Sequence, residues 1–106
     1  MNNYLVTAKN YSEDSENRIH SDEIAQKFGF RGALVPGVAV YGYMTHPLVE
    51  AFGADWLARA NVQLRLLKPT YDGEQMTITC NRQEDHIEVV SHDPGGQQGN
   101  GNYRKQ

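Results

Sequence analysis

Hydrophobic and polar positions follow more than one rhythm along this chain, and each rhythm predicts a different element. Tyr4 to Asn10 is rich in β-formers and predicts a first strand. The polar, acidic run from Ser12 to Arg18 reads as a loop. Ser21 is a good helix N-cap, with Asp22 and Glu23 in the first turn, where the helix dipole favours carboxylates. A short helix from Asp22 to Phe28 would then end at Gly29, with Ile24, Ala25 and Phe28 on one face. From Val38 to Met44 the residues are apolar or small nearly all round, and the apolar pattern resumes with Leu48, Val49, Ala51 and Phe52. That total length predicts a buried helix in preference to a strand, closed by Gly53. Pro47 inside it predicts a kink or a break into two helices.

The second half changes period. Val62, Leu64 and Leu66 alternate with Gln63 and Arg65, the pattern of a half-buried strand. Asp72-Gly73 predicts a turn, and Met76, Ile78 and Cys80 then alternate with threonine and asparagine as the next strand. Ile87 and Val89 alternate with His86 and Glu88 as a third strand, before a strong turn signal at Asp93-Pro94-Gly95-Gly96. Residues 97–106 contain no aliphatic side chain and read as a frayed, polar Gly/Asn-rich tail. The expected organisation is therefore one domain over 1–96 followed by that tail. A strand, helical pieces and an antiparallel meander make an α+β fold, with the sheet wrapping a central apolar helix. The polar tail leaves the last strand of such a sheet unaccounted for.

Composition narrows the function classes. With 106 residues the chain is one domain by length, and its 39% hydrophobic share favours a core completed across a subunit interface. The net charge of −3, without a basic stripe, gives no support for nucleic-acid binding. One cysteine excludes an intramolecular disulfide and offers no metal pattern, so no metal site is expected. The N-terminal residues lack the basic flank and apolar run of a signal peptide, and no apolar stretch reaches the roughly 20 residues needed to span a bilayer. A cytoplasmic protein without a membrane association is expected.

Candidate chemistry clusters in the first half. Ser15-Glu16-Asn17-Arg18-Ile19-His20-Ser21-Asp22, followed by Ala25, Gly29-Phe30 and Val35-Pro36-Gly37, resembles the signature of the MaoC-like hydratases and dehydratases. That signature runs Asp-x-Asn-Pro-[Ile/Leu]-His-x-Asp, then Ala, Gly-Phe and a helix-opening His-Gly. Arg65, Lys68-Pro69 and Asp72-Gly73-Glu74 resemble the strand and hairpin that follow, so the resemblance covers roughly residues 12 to 96. It implies a hot-dog fold with one strand before the central helix and four after it.

Carried over residue by residue, the resemblance implies that His20 is the catalytic histidine, Asn17 its asparagine partner, and Gly37 the source of an N–H that holds the thioester oxygen. The chemistry is coherent. Hydration of a 2-enoyl thioester needs a base for water, an acid for the α-carbon and donors for the enolate oxygen, and a helix N-terminus supplies such donors. Two positions depart from the pattern. Ser15 stands where the family has its catalytic aspartate, with Asp14 and Glu16 flanking it as substitutes, and Pro36 replaces the histidine of the helix-opening pair. Arg31, Arg59, Arg65 and Lys68 are candidate contacts for coenzyme A phosphates. The implied ligand is an acyl thioester, with no resident cofactor.

Each of these residues also has a purely structural reading. His20 can serve the Asp22 helix, Asn17 and Asp14 can bond their own loop, and Gly37 can be required only for tight helix packing. Tyr41, Tyr43 and Met44 are expected in the core, His46 beside the helix break, and His86 and His92 in solvent. Three functions remain open at this stage: a hydratase or dehydratase, a thioesterase, and a non-catalytic acyl-binding or structural subunit. A homodimer or higher oligomer is expected, because a missing strand would leave backbone groups open for pairing.

Overall fold

The structure, a computed structural model, describes residues 3–9 and 34–105. In chain order it contains β1 (Tyr4–Thr7), α1 (Gly37–Phe52), α2 (Ala54–Ala58), β2 (Ala60–Leu66), β3 (Gln75–Arg82), β4 (Ile87–Asp93) and β5 (Gly96–Lys105). The five strands form one sheet in the order β1-β3-β4-β5-β2, with every neighbour antiparallel. The helix expected over Asp22 to Phe28 lies outside the described residues.

The central helix begins as its sequence predicts and ends at Gly53, whose φ of 86° is open to glycine and costly for other residues. The Gly53 N–H donates to the Val49 carbonyl at 2.8 Å and closes the last turn. Of the two outcomes expected at Pro47, a kink or a break into two helices, the break does not occur. The helix runs through that residue, which is buried alongside Met44 and Leu48. Proline removes its own N–H and crowds the preceding turn, but here the ring lies on the helix face that packs into the core. The change of direction falls instead at Gly53, before α2.

Val40, Met44 and Leu48 recur every four residues and form the buried stripe of α1. They meet Met76 and Ile78 of β3, Ile87 and Val89 of β4, and Tyr103 of β5. The predicted alternation holds in β2 and β3, where Val62, Leu64, Met76 and Ile78 face the helix. No helix among the described residues is long and apolar enough to cross a membrane.

The expectation of a frayed tail after residue 96 is corrected for residues 97–105, which form β5. This strand pairs with β4 on one side and β2 on the other, so it lies inside the sheet. Its inward positions are Gly99, Gly101 and Tyr103, all buried. Glycine carries no side chain, so a search for apolar alternation passes over it. The neighbours supply the missing volume instead. A Cβ on Gly99 would stand 2.9 Å from the Arg65 carbonyl oxygen and 3.4 Å from Leu66 Cδ2. The strand is thin where β2 closes over it.

Candidate functional site

At the start of α1 the chain forms a cleft of about 440 Å³, lined by Leu34, Val35, Gly37, Val40, Leu66, Leu67, Lys68, Pro69 and Thr70. Two of its aliphatic side chains stand exposed, Leu67 at 53% and Leu66 at 47%. The walls come from two segments that the backbone joins. Val35 N–H donates to the Thr70 carbonyl at 2.8 Å, and Leu34 bridges antiparallel to Tyr71. Pro36, with φ −57° and ψ 145°, then turns the chain into the helix. Gly37 allows a close approach: a Cβ there would stand 3.0 Å from Leu66 Cδ1, the end of a flexible side chain that would have to give. The same absence of a side chain lets a ligand atom come near the Gly37 and Val38 amides, which precede the first intrahelical hydrogen bond, whereas the Ala39 and Val40 N–H groups donate to the Pro36 carbonyl at 2.9 and 3.2 Å.

Of the residues singled out from the sequence, Gly37 and Lys68 come together on this cleft. Arg65 does not. It is exposed on β2 at an outward position, between Leu64 and Leu66. Asp14, Ser15, Asn17, His20 and Arg31 lie outside the described residues. Lys68 is the one ionisable side chain among the described residues lining the cleft, and its ammonium is already engaged, 2.7 Å from Asp93 Oδ1. A second cleft, of about 600 Å³, lies on the other side of Lys68 and Pro69, against Tyr71, Glu74, Asp93 and Pro94.

Beneath both clefts runs a buried polar network centred on Gln98, which is 1% exposed. Its Nε2 donates to Thr70 Oγ1 at 3.1 Å and to Glu74 Oε2 at 3.2 Å, and its Oε1 accepts from Ser91 Oγ at 3.0 Å. Its backbone carbonyl accepts from Leu67 N at 2.7 Å and Lys68 N at 3.3 Å. Burial pushes the Asp93 carboxyl up, but hydrogen bonds from Lys68 and the Gly95 amide, with one shared with Glu74, outweigh it and hold the group below its ordinary value. Gln98 was not visible as a site residue because residues 97–106 read as a tail. A glutamine flanking a glycine-spaced strand was the only signal available.

The remaining candidates are structural. Met44 is fully buried, Tyr41 stacks on Tyr103 with centroids 6.4 Å apart, and the Tyr43 hydroxyl accepts the Lys9 N–H at 3.1 Å. His46 stacks on Tyr4 at 4.3 Å and lies 3.3 Å from Glu50. His92 is exposed as expected, but His86 is half-buried, its Nδ1 lying 2.6 Å from Asp85 Oδ1. That hydrogen bond, together with the Arg104 charge, holds the Asp85 carboxyl below its ordinary value. Burial pushes the Cys80 thiol up, which keeps it protonated and a poor nucleophile at neutral pH. Among the described residues no cluster of three or more His, Cys, Asp or Glu could hold a metal ion.

No protein-family model matches the sequence, and no curated protein matches it. Solved structures do. A MaoC-like dehydratase from Phytophthora capsici superposes with a TM-score of 0.80 at 18% identity, covering 99% of this chain and 41% of that one. The fold is the hot dog. The ChsH1-ChsH2 complex from Mycobacterium tuberculosis matches with a TM-score of 0.72 at 14% identity, over 100% of this chain and 94% of that one. A mutant of the fluoroacetyl-CoA-specific thioesterase FlK matches with a TM-score of 0.59 at 15% identity, over 99% and 87% of the two chains. This hot-dog chain thus spans about two fifths of the dehydratase's length and nearly all of a chain in the ChsH1-ChsH2 complex. Dehydratase and thioesterase share its architecture, so the hot-dog fold alone does not choose between reactions.

Proposed function

We propose that this chain is an acyl-thioester-binding hot-dog domain, with the ligand's acyl end in the cleft at the start of α1. The observation that carries this reading is the juxtaposition of Gly37, at the first helical position, with the aliphatic walls from Leu34, Val40, Leu66 and Leu67. A thioester carbonyl is a polar atom on an apolar chain. It suits a site that offers backbone N–H donors at one point and aliphatic surface elsewhere.

Hydration or dehydration of a 2-enoyl thioester is the reaction that the sequence resemblance implies. His20 would exchange the proton with water, Asn17 would help hold the loop or the ligand, and the Gly37 amide would take the developing negative charge on the thioester oxygen. Asp14 or Glu16 would have to supply the carboxylate that Ser15 cannot. The similarity to a MaoC-like dehydratase supports this reading, and the similarity to a thioesterase keeps hydrolysis as its nearest enzymatic rival.

A second reading is favoured by a specific observation. Ser15 and Pro36 stand at two positions where the resemblance expects a carboxylate and an imidazole, which fits a non-catalytic subunit that binds acyl groups or completes a larger assembly. The similarity to a chain of the ChsH1-ChsH2 complex accords with such a role. Assembly itself is supported by the two edge strands, β1 and β2, and by the exposed Leu66 and Leu67 at the end of β2. It no longer rests on a missing strand, since β5 is in place.

A crotonyl-CoA hydration assay, run beside a thermal-shift screen of acyl-CoAs, separates the readings. Turnover with stabilisation supports an enzyme, and stabilisation without turnover supports the binding subunit. Neither response from folded protein would remove acyl thioesters from the account.

A further inference from the structure

Gln98 ties together what the backbone alone would leave loose. The segment from Leu67 to Glu74 belongs to no helix or strand, yet it forms one wall of the cleft at Gly37 and anchors the chain that enters α1. Val35 hangs from the Thr70 carbonyl at 2.8 Å, so the position of Thr70 sets where the helix begins. Thr70 is held in turn by the Gln98 side chain at 3.1 Å, while the Gln98 carbonyl holds the Leu67 and Lys68 amides.

A buried glutamine is an expensive way to fill a core position. Its amide must be desolvated, and it is tolerated when all its donors and acceptors are met. Here both N–H groups and the oxygen are used, through Thr70, Glu74 and Ser91. An apolar side chain would grip neither Thr70 nor Glu74 and would take from the buried Ser91 hydroxyl the acceptor it has in Gln98. We propose that Gln98 is a positioning residue for the Gly37 cleft: it fixes residues 67–70, and through Thr70 and Val35 it fixes the start of α1. The consequence for ligand affinity rests on the acyl-thioester reading above; the consequence for local order does not.

The test uses Thr70→Val, which keeps the volume and removes the hydroxyl that Gln98 grips, with Thr70→Ser as the conservative rescue and Gln98→Leu as the cut at the centre. Amide hydrogen exchange is followed residue by residue, and butyryl-CoA affinity is measured by calorimetry. Loss of one buried hydrogen bond should raise exchange at Val35, Leu67 and Lys68 by about tenfold in Thr70→Val, leaving Ile78 and Val89 as in the wild type. Thr70→Ser should restore protection. Butyryl-CoA affinity should fall about tenfold with the valine and recover with the serine. Uniform loss of protection, or no change at Val35, overturns the inference, as does a local change with unaltered affinity in a protein that binds butyryl-CoA. If the wild type binds no acyl-CoA, the functional reading fails, and the exchange pattern alone still decides whether Gln98 orders the cleft wall.

Discussion

The Lys68 ammonium lies 2.7 Å from Asp93 Oδ1, on a carboxylate only 8% exposed, and this pair joins the end of β2 to the β4–β5 turn. Its charge is therefore already matched. Lys68 stands at the cleft where the sequence suggested a phosphate contact, but an incoming anion would have to compete with Asp93. Lys68→Met should cost about 1–3 kcal/mol of stability, because it strands a largely buried carboxylate, and denaturant unfolding at neutral pH will measure this.

The same pair predicts an acid limb. Asp93 is held below its ordinary carboxyl value in the folded state, so it binds protons less readily there than in the unfolded chain. Its contribution is present above the unfolded value, near pH 4, and is lost as pH falls through the folded one. Unfolding curves between pH 6 and about pH 2 should show falling stability, and Asp93→Asn should flatten that slope.

Tyr103 and Thr45 predict an alkaline limb. Their hydroxyls meet at 2.6 Å inside the core. Burial, with Tyr41 and Cys80 close by, pushes the phenol up to about 12 despite the opposing bond from Thr45. Because the folded value exceeds the unfolded one, the contribution is complete below about pH 10 and disappears as pH rises towards 12. Absorbance titration should show this tyrosine ionising above the ordinary tyrosine range, towards pH 12, as stability falls. Tyr103→Phe should remove that limb and cost about 1–2 kcal/mol, since Thr45 loses its partner.

Leu66 sits between two glycines, and the two should respond differently. Gly99→Ala sets a Cβ 2.9 Å from a backbone oxygen of β2, which has little room to move, so a loss of about 1–3 kcal/mol is expected in thermal or denaturant unfolding. Gly37→Ala meets the end of a flexible leucine at 3.0 Å, so the protein should fold with a smaller loss while the cleft is reshaped.

The legibility of the chain follows from what each element packs with. The buried stripe of α1 and the alternation in β2, β3 and β4 were visible because aliphatic side chains carry them. Pro47 left a kink and a break open, and the unbroken helix, with this proline buried beside Met44 and Leu48, decides against the break alone. β5 was hidden because two of its inward residues, Gly99 and Gly101, are glycines whose volume is filled by Leu66 and Leu64 from the neighbouring strand. Gln98 was hidden with it. The family resemblance singled out Gly37, which lines the cleft at the start of α1, whereas the occupation of Lys68 by Asp93 depends on a contact 25 residues away in sequence.

Acid–base chemistry, if it occurs here, has to come from outside the described cleft lining, where Lys68 is the one ionisable group. His20 is the residue proposed for it. His20→Ala should leave the melting temperature unchanged and lower hydration of crotonyl-CoA by about 10²–10⁴-fold. Ser15→Asp should raise it. Full turnover by the alanine variant would remove His20 from the mechanism, and no gain in a folded Ser15→Asp protein would count against the proposed correspondence at that position.

Reception of an acyl thioester by the cleft at Gly37, as proposed above, is read out by calorimetric titration of the folded chain with butyryl-CoA and crotonyl-CoA. The expected result is saturable binding that is weakened or lost when Gly37→Val fills the space beside Leu66. The absence of binding by folded wild-type protein at about millimolar acyl-CoA, a concentration that would detect free energies of binding near −4 kcal/mol, would contradict it.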